Sequence, residues 1–175
     1  WELNSSLGDG WLVTEQDRVA LAMTSHIWLD VAEFQQALTV CMSHGHAPQA
    51  VCAACQAPLE AAAALASGDF MAGFNVRDSA DFEEWQFFQA EQYRQALASA
   101  LARLVTCFQT AGQPAAALPH ARRWLSLDPL HEPAHRALMT LYTATDQRSA
   151  ALRQYQECVR ILDTELGTLP QPETT

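Results

Sequence analysis

Apolar and polar positions follow a helical period over much of the chain, and nowhere for longer than between Ser79 and Ala111. Phe82, Trp85, Phe88, Tyr93, Leu97, Leu101, Leu104, Phe108 and Ala111 fall mostly three or four apart, with no Pro or Gly between them. One stripe therefore stays on one face, which predicts a single helix over 79–111. At about 1.5 Å per residue it reaches on the order of 50 Å, longer than a small domain is wide, so it is expected to bridge two packed groups of helices.

Ahead of it, Trp11-Leu12-Val13-Thr14 and Arg18-Val19-Ala20-Leu21-Ala22 flank Glu15-Gln16-Asp17, the signature of a short hairpin. A hairpin alone is marginal in water, so it either packs on the helical body or belongs to a domain that continues upstream. Asp30 followed by Glu33 has the form of a capping box, and Val31, Phe34, Leu38, Cys41 and Met42 keep helical spacing, predicting a first helix over 31–43. Gly45 and Pro48 break it. An alanine-rich second helix is predicted over 51–66, ending at Gly68. The connector Gly68 to Val76 carries Phe70, Met71 and Phe74, too apolar for a solvated loop, and is expected to tuck under the long helix.

Beyond the long helix the pattern repeats. Leu104, Phe108, Gly112, Gln113, Ala117, Leu118 and Ala121 recur 34 positions later as Leu138, Tyr142, Asp146, Gln147, Ala151, Leu152 and Tyr155. That is the tetratricopeptide period, in which each unit is a helical hairpin that buries its apolar face only by stacking on a neighbour. Pro114 and Pro133 fit first-turn positions, while Asp128-Pro129 and Gly167 to Pro170 punctuate ends. Two repeats are fewer than a solenoid needs, so the first two helices are expected to form a third, degenerate pair. The predicted class is all-α, tetratricopeptide-like stacked hairpins of about six to seven helices, with a small N-terminal β-hairpin remnant.

Charge narrows the function. Ten Arg and no Lys stand against 20 acids, a formal charge of −10, which repels a phosphate backbone. No run of about eighteen apolar residues and no basic-then-apolar leader is present, so the sequence reads as cytoplasmic, with neither membrane span nor signal peptide.

Five cysteines in a chain of this size point more to metal than to disulfides. Cys41-Met-Ser-His44-Gly-His46 precedes Cys52-Ala-Ala-Cys55, two ligand pairs that a short loop can fold around a tetrahedral ion. Soft thiolates with imidazole suit zinc, and a full set of four leaves no open position, so the expected role is structural. His44 and His46 compete for one place, and spacing does not choose between them. A second pattern, His131-Glu132-Pro133-Ala134-His135, matches the string of zinc peptidases, which needs both imidazoles one turn apart on a continuous helix. Pro133 places the helix start inside the motif, so a hydrolase using His131, Glu132 and His135 is disfavoured against a helix-opening role for Glu132 and Pro133. Cys107 and Cys158 sit on apolar faces and read as core. Arg122, Arg123 and Arg136 lie near the junction between repeats, where repeat proteins bind peptides, although a solvated face is the favoured reading.

Gly68-Asp69-Phe70-x2-Gly73-Phe74, Phe82-Glu83-x-Trp85, the run Ala121-Arg122-Arg123-x-Leu125-x-Leu127-Asp128-Pro129-Leu130-x-Glu132-x-Ala134-His135-Arg136-x-Leu138-Met139, then Ala151-Leu152-x-Gln154-Tyr155 and Glu165-Leu166-Gly167, together resemble the bacterial transcriptional activator domain. That domain accompanies winged-helix regulators such as the Streptomyces antibiotic regulatory proteins. The resemblance implies a helical module without enzymatic activity that supports dimerisation, as a homodimer, or contacts with transcription machinery. It also implies that Leu3-x3-Leu7-Gly8-Asp9 ends a recognition helix and that Trp11 to Ala22 forms the wing, so DNA would be reached only through a winged helix largely outside this sequence. The expected organisation is residues 1–29 as winged-helix tail and linker, 30–166 as the helical domain and 167–175 as a C-terminal linker. A generic tetratricopeptide adaptor that binds a peptide is the alternative.

Overall fold

The computed structural model describes residues 10–15, 18–22, 27–47 and 50–175. The proposed recognition-helix remnant around Leu3 and Leu7, and Pro48, lie outside them. Strands β1 (Leu12–Glu15) and β2 (Arg18–Leu21) pair antiparallel with Leu12 opposite Leu21 and Glu15 opposite Arg18. Ala22 N–H donates to the Trp11 carbonyl at 2.8 Å and closes the ladder. Trp11, Val13, Val19 and Leu21 remain exposed, so little of this hairpin is covered by the helical body.

Six α-helices follow among the described residues: α1 (Asp30–Met42), α2 (Gln56–Leu65), α3 (Ala80–Thr110), α4 (Pro114–Leu127), α5 (Glu132–Ala144) and α6 (Arg148–Leu166). Each packs on its neighbours in sequence, α1 on α2, α2 on α3, and so on to α6, the order a stack of hairpins requires. One core runs through the array from Phe34 and Leu59 through Leu101 and Leu104 to Leu138 and Leu141. The all-α, tetratricopeptide-like class stands, with α1 and α2 as the additional pair.

The 34-residue period is visible in the backbone itself. Gly112 and Asp146 both adopt left-handed backbone, φ 69° and 57°. The next residue in each repeat, Gln113 or Gln147, donates its N–H at 2.8 Å to Phe108 or Tyr142, also equivalent positions. Such left-handed closures satisfy carbonyls that a helix end would leave bare, and they reverse the chain into the next helix. Leu104 and Leu138 are buried in both units, whereas Leu118 is buried and its counterpart Leu152, on the terminal helix α6, is exposed. The last helix of a stack has no neighbour to cover that face.

Two local features depart from expectation, and an internal proline adds a third detail. No capping box forms at Asp30: Leu29 is the extended N-cap, and the Asp30 carboxylate accepts from Val31 N–H at 2.8 Å from within the first turn. α4 continues through Pro119, although proline removes one intrahelical donor. Residues 167–175, read as a linker, turn back on α5: Glu132 accepts from Gln171 N–H at 2.9 Å and from the Thr174 hydroxyl at 2.6 Å, and Arg136 donates to Thr174 at 2.9 Å.

Candidate metal centre

α1 ends at Met42, and Gly45, with φ 75°, turns the chain so that His44 and His46 project from a tight loop instead of continuing the helix. On the return, Cys52 takes extended backbone (φ −125°, ψ 171°) ahead of a single 3-10 turn, Ala53–Cys55, which runs into α2. Loop and turn face each other. His44, His46, Cys52 and Cys55 bring one donor atom each into a set lying within 4.8 Å of one another.

The spacings inside that set are close to those of a coordination shell. Cys55 Sγ lies 3.3 Å from His44 Nδ1, 3.0 Å from His46 Nε2 and 3.6 Å from Cys52 Sγ, and Cys52 Sγ lies 3.4 Å from His44 Nδ1. Tetrahedral zinc, with Zn–S about 2.3 Å and Zn–N about 2.0–2.1 Å, spaces its ligand atoms roughly 3.3–3.8 Å apart. His46 Nδ1 donates to the Ala47 carbonyl at 3.0 Å, which orients the ring so that Nε2 faces Cys55 Sγ. Both imidazoles lie in the set, through different ring nitrogens, and the group could hold a metal ion.

Cys41, counted with the ligands on spacing alone, lies outside the four-donor set. It is fully buried at the end of α1, where its Sγ accepts from Arg103 Nη2 of α3 at 2.8 Å. Burial, and then hydrogen bonding with Cys55, pushes the Cys41 thiol up to about 12, while Arg103 opposes the rise. Burial also acts to raise Cys55. The Cys52 N–H, the Cys41 thiol and the two imidazoles outweigh it and hold Cys55 down at about 5, a thiolate ready for a metal. The Arg103 Nε is buried without a partner among the described residues. Ligand spacing does not single this arginine out, although a lone cation amid Leu101, Leu104 and Cys107 is the available signal.

The peptidase-like string does not assemble a metal site. His131 is the non-helical N-cap of α5, with its ring 5.3 Å from Trp124. His135 is buried with both ring nitrogens engaged, Nε2 donating to the Pro129 carbonyl at 2.9 Å and Nδ1 accepting from the Gln154 amide at 2.7 Å. Glu132 is buried against Gln171 and Thr174. The arginines near the junction hold structure: Arg122 bonds Tyr142 and lies over its ring, Arg123 donates to the Ala63 and Ala66 carbonyls at the end of α2, and Arg136 holds Thr174. Cys107 and Cys158 are buried, and burial raises both thiols.

Stacked helical hairpins of 34-residue period define a tetratricopeptide-like helical repeat module. The profile of the bacterial transcriptional activator domain matches residues 29–175, and the chain belongs to that family. No curated protein matches the sequence as a close relative. The family is a regulatory one, and among the described residues no helix is long and apolar enough to cross a membrane.

Proposed function

We propose that residues 30–166 act in the cytoplasm as the protein-contact domain of the regulator, through the N-terminal half of α3. One observation carries this reading. Phe87 and Phe88 are 67% and 54% exposed, and Glu84 and Glu91 lie one turn to either side of them at i, i+3, i+4, i+7 spacing. A folded domain rarely leaves such an aromatic face open unless it is used in contact. Self-association as a homodimer and contact with transcription machinery both use this face. DNA reading by this domain alone is disfavoured by the charge of −10. No catalytic role is assigned, since the family is regulatory and the peptidase-like residues are consumed in packing.

The test is the double change Phe87→Ala with Phe88→Ala. Both side chains are mostly solvated, so melting should move little. Self-association measured by sedimentation, or activation of a promoter reporter by the intact regulator, should fall sharply. Retention of both would remove this face from the function.

We further infer that His44, His46, Cys52 and Cys55 hold a structural zinc ion. The donor chemistry and the 3.0–3.6 Å spacings support it, and four protein ligands close the shell against substrate. Its role is to lock the loop between α1 and α2, with Arg103 joining that pair to α3.

A further inference from the structure

We propose that the cleft between the start of α1, the end of α2 and the connector after it is a binding site for a small organic cation with an apolar body. The cleft has a volume of about 530 Å³, within the range of small-molecule sites. Its apolar wall includes Phe34, Phe70 and Tyr93, whose rings pack on one another with centroids 6.2 Å (Phe34–Tyr93) and 5.0 Å (Phe70–Tyr93) apart. The charged groups lining it are Asp30 and Asp69, and among the described residues no Arg or His lines it. Arg123, which reaches the same end of α2, has its guanidinium engaged by the Ala63 and Ala66 carbonyls.

These features select by charge. Two carboxylates in the lining repel an anionic ligand, and aromatic rings in the same wall favour an ammonium over a neutral group. The wall is held open by its own supports. Gln86 of α3 donates to the Met71 and Phe74 carbonyls at 3.1 and 3.2 Å, fixing the connector, and Gln35 donates to the Tyr93 hydroxyl at 3.3 Å. An amine seated there would touch α1, the connector and α3 together. The site does not depend on the protein-contact reading, and its failure would leave that reading intact.

Three probes with one apolar body separate the contributions: phenethylamine, protonated at neutral pH, 2-phenylethanol and 3-phenylpropionate. Titration calorimetry on the full chain should show the amine binding about tenfold more tightly than the alcohol, and the carboxylate more weakly than either. In the variant Asp30→Asn with Asp69→Asn the amine should fall to the level of the alcohol while the alcohol is unchanged. Both side chains are on the surface, and a carboxamide oxygen at position 30 can still accept from Val31 N–H, so the fold should survive. Tyr93→Phe keeps the ring and should retain binding, whereas Phe70→Ala should weaken all three probes. Equal binding of amine and carboxylate, an unaltered amine affinity in the double aspartate variant, or no binding of any probe at millimolar concentration would each overturn the assignment.

Discussion

The two halves of α3 share one helix and one apolar period, yet they live in different environments. From Leu97 onward, Leu97, Ala100, Leu101, Leu104, Val105, Cys107 and Phe108 are all buried between α2 and α4. Before Leu97 no residue of the helix is buried, although that half carries Phe82, Trp85, Phe87, Phe88 and Tyr93. The difference is what each half has to pack on. The C-terminal half is the first helix of a repeat and meets helices on two sides. The N-terminal half meets chiefly the connector, through Phe70 against Trp85 at 5.9 Å and Phe74 against Phe82 at 5.7 Å. An apolar stripe states that a face wants a partner, and the partner can lie within the fold or outside it.

The largest expected break along this divide is metal loss. Structural zinc in small sites contributes on the order of 10 kcal/mol in apparent terms, comparable to a whole domain's stability of about 5–15 kcal/mol. Stripping zinc-loaded protein with a chelator should lower the melting temperature and expose α1 and α2 to hydrogen exchange, while α5 and α6 keep their protection. Elemental analysis should find one zinc per chain, lost in Cys55→Ser and in His46→Ala but kept in Cys41→Ser. Absence of zinc together with an unchanged melting temperature on chelation would sink the structural-zinc reading, and zinc loss in Cys41→Ser would return that thiol to the ligand set.

The limits of sequence reading fall along the same divide. The repeats are legible because their period is written twice, in core positions such as Leu104 and Leu138 and in the paired turns at Gly112 and Asp146. The Cys/His cluster is legible as a set of residues, but not in which of its donors converge. Whether Cys41 joins depends on the helix continuing to Met42, which carries that thiol inward to Arg103, and on Gly45 turning His46 back toward Cys55. The amine cleft leaves no local signature, since its walls come from Asp30, Ser67 to Met71 and Tyr93, segments far apart in the chain. The capping box at Asp30 fails for a related reason: the helix begins one residue earlier than the box needs, and no side chain caps it.

Within α3 the two halves should answer differently to truncation. Leu104 is fully buried, and Leu104→Ala should cost about 2–5 kcal/mol, from lost transfer energy and the cavity left behind. The loss should appear across the repeats in one cooperative transition. Trp85 is 46% exposed, and Trp85→Ala should cost about 1–2 kcal/mol, since roughly half its area is solvated already. Hydrogen exchange should then rise in the N-terminal half of α3 and in the connector, with Leu97 to Thr110 unchanged. Equal loss of protection in both halves would contradict the division.

The smallest effect sharpens the comparison inside the repeats themselves. Gly112 and Asp146 occupy equivalent left-handed positions, but only glycine adopts φ near 69° without a steric cost. An added Cβ at Gly112 meets no atom within 4 Å, so Gly112→Ala tests backbone conformation and nothing else. It should destabilise by about 1 kcal/mol, the left-handed penalty less the entropy the unfolded chain loses. Asp146→Gly runs the other way, relieving a non-glycine residue at φ 57° while loosening the unfolded state, and should gain a few tenths of a kcal/mol. Opposite signs in urea melts, with no change in the slope of either transition, would show that one backbone turn serves both units and that their difference in stability lies in what each helix face meets.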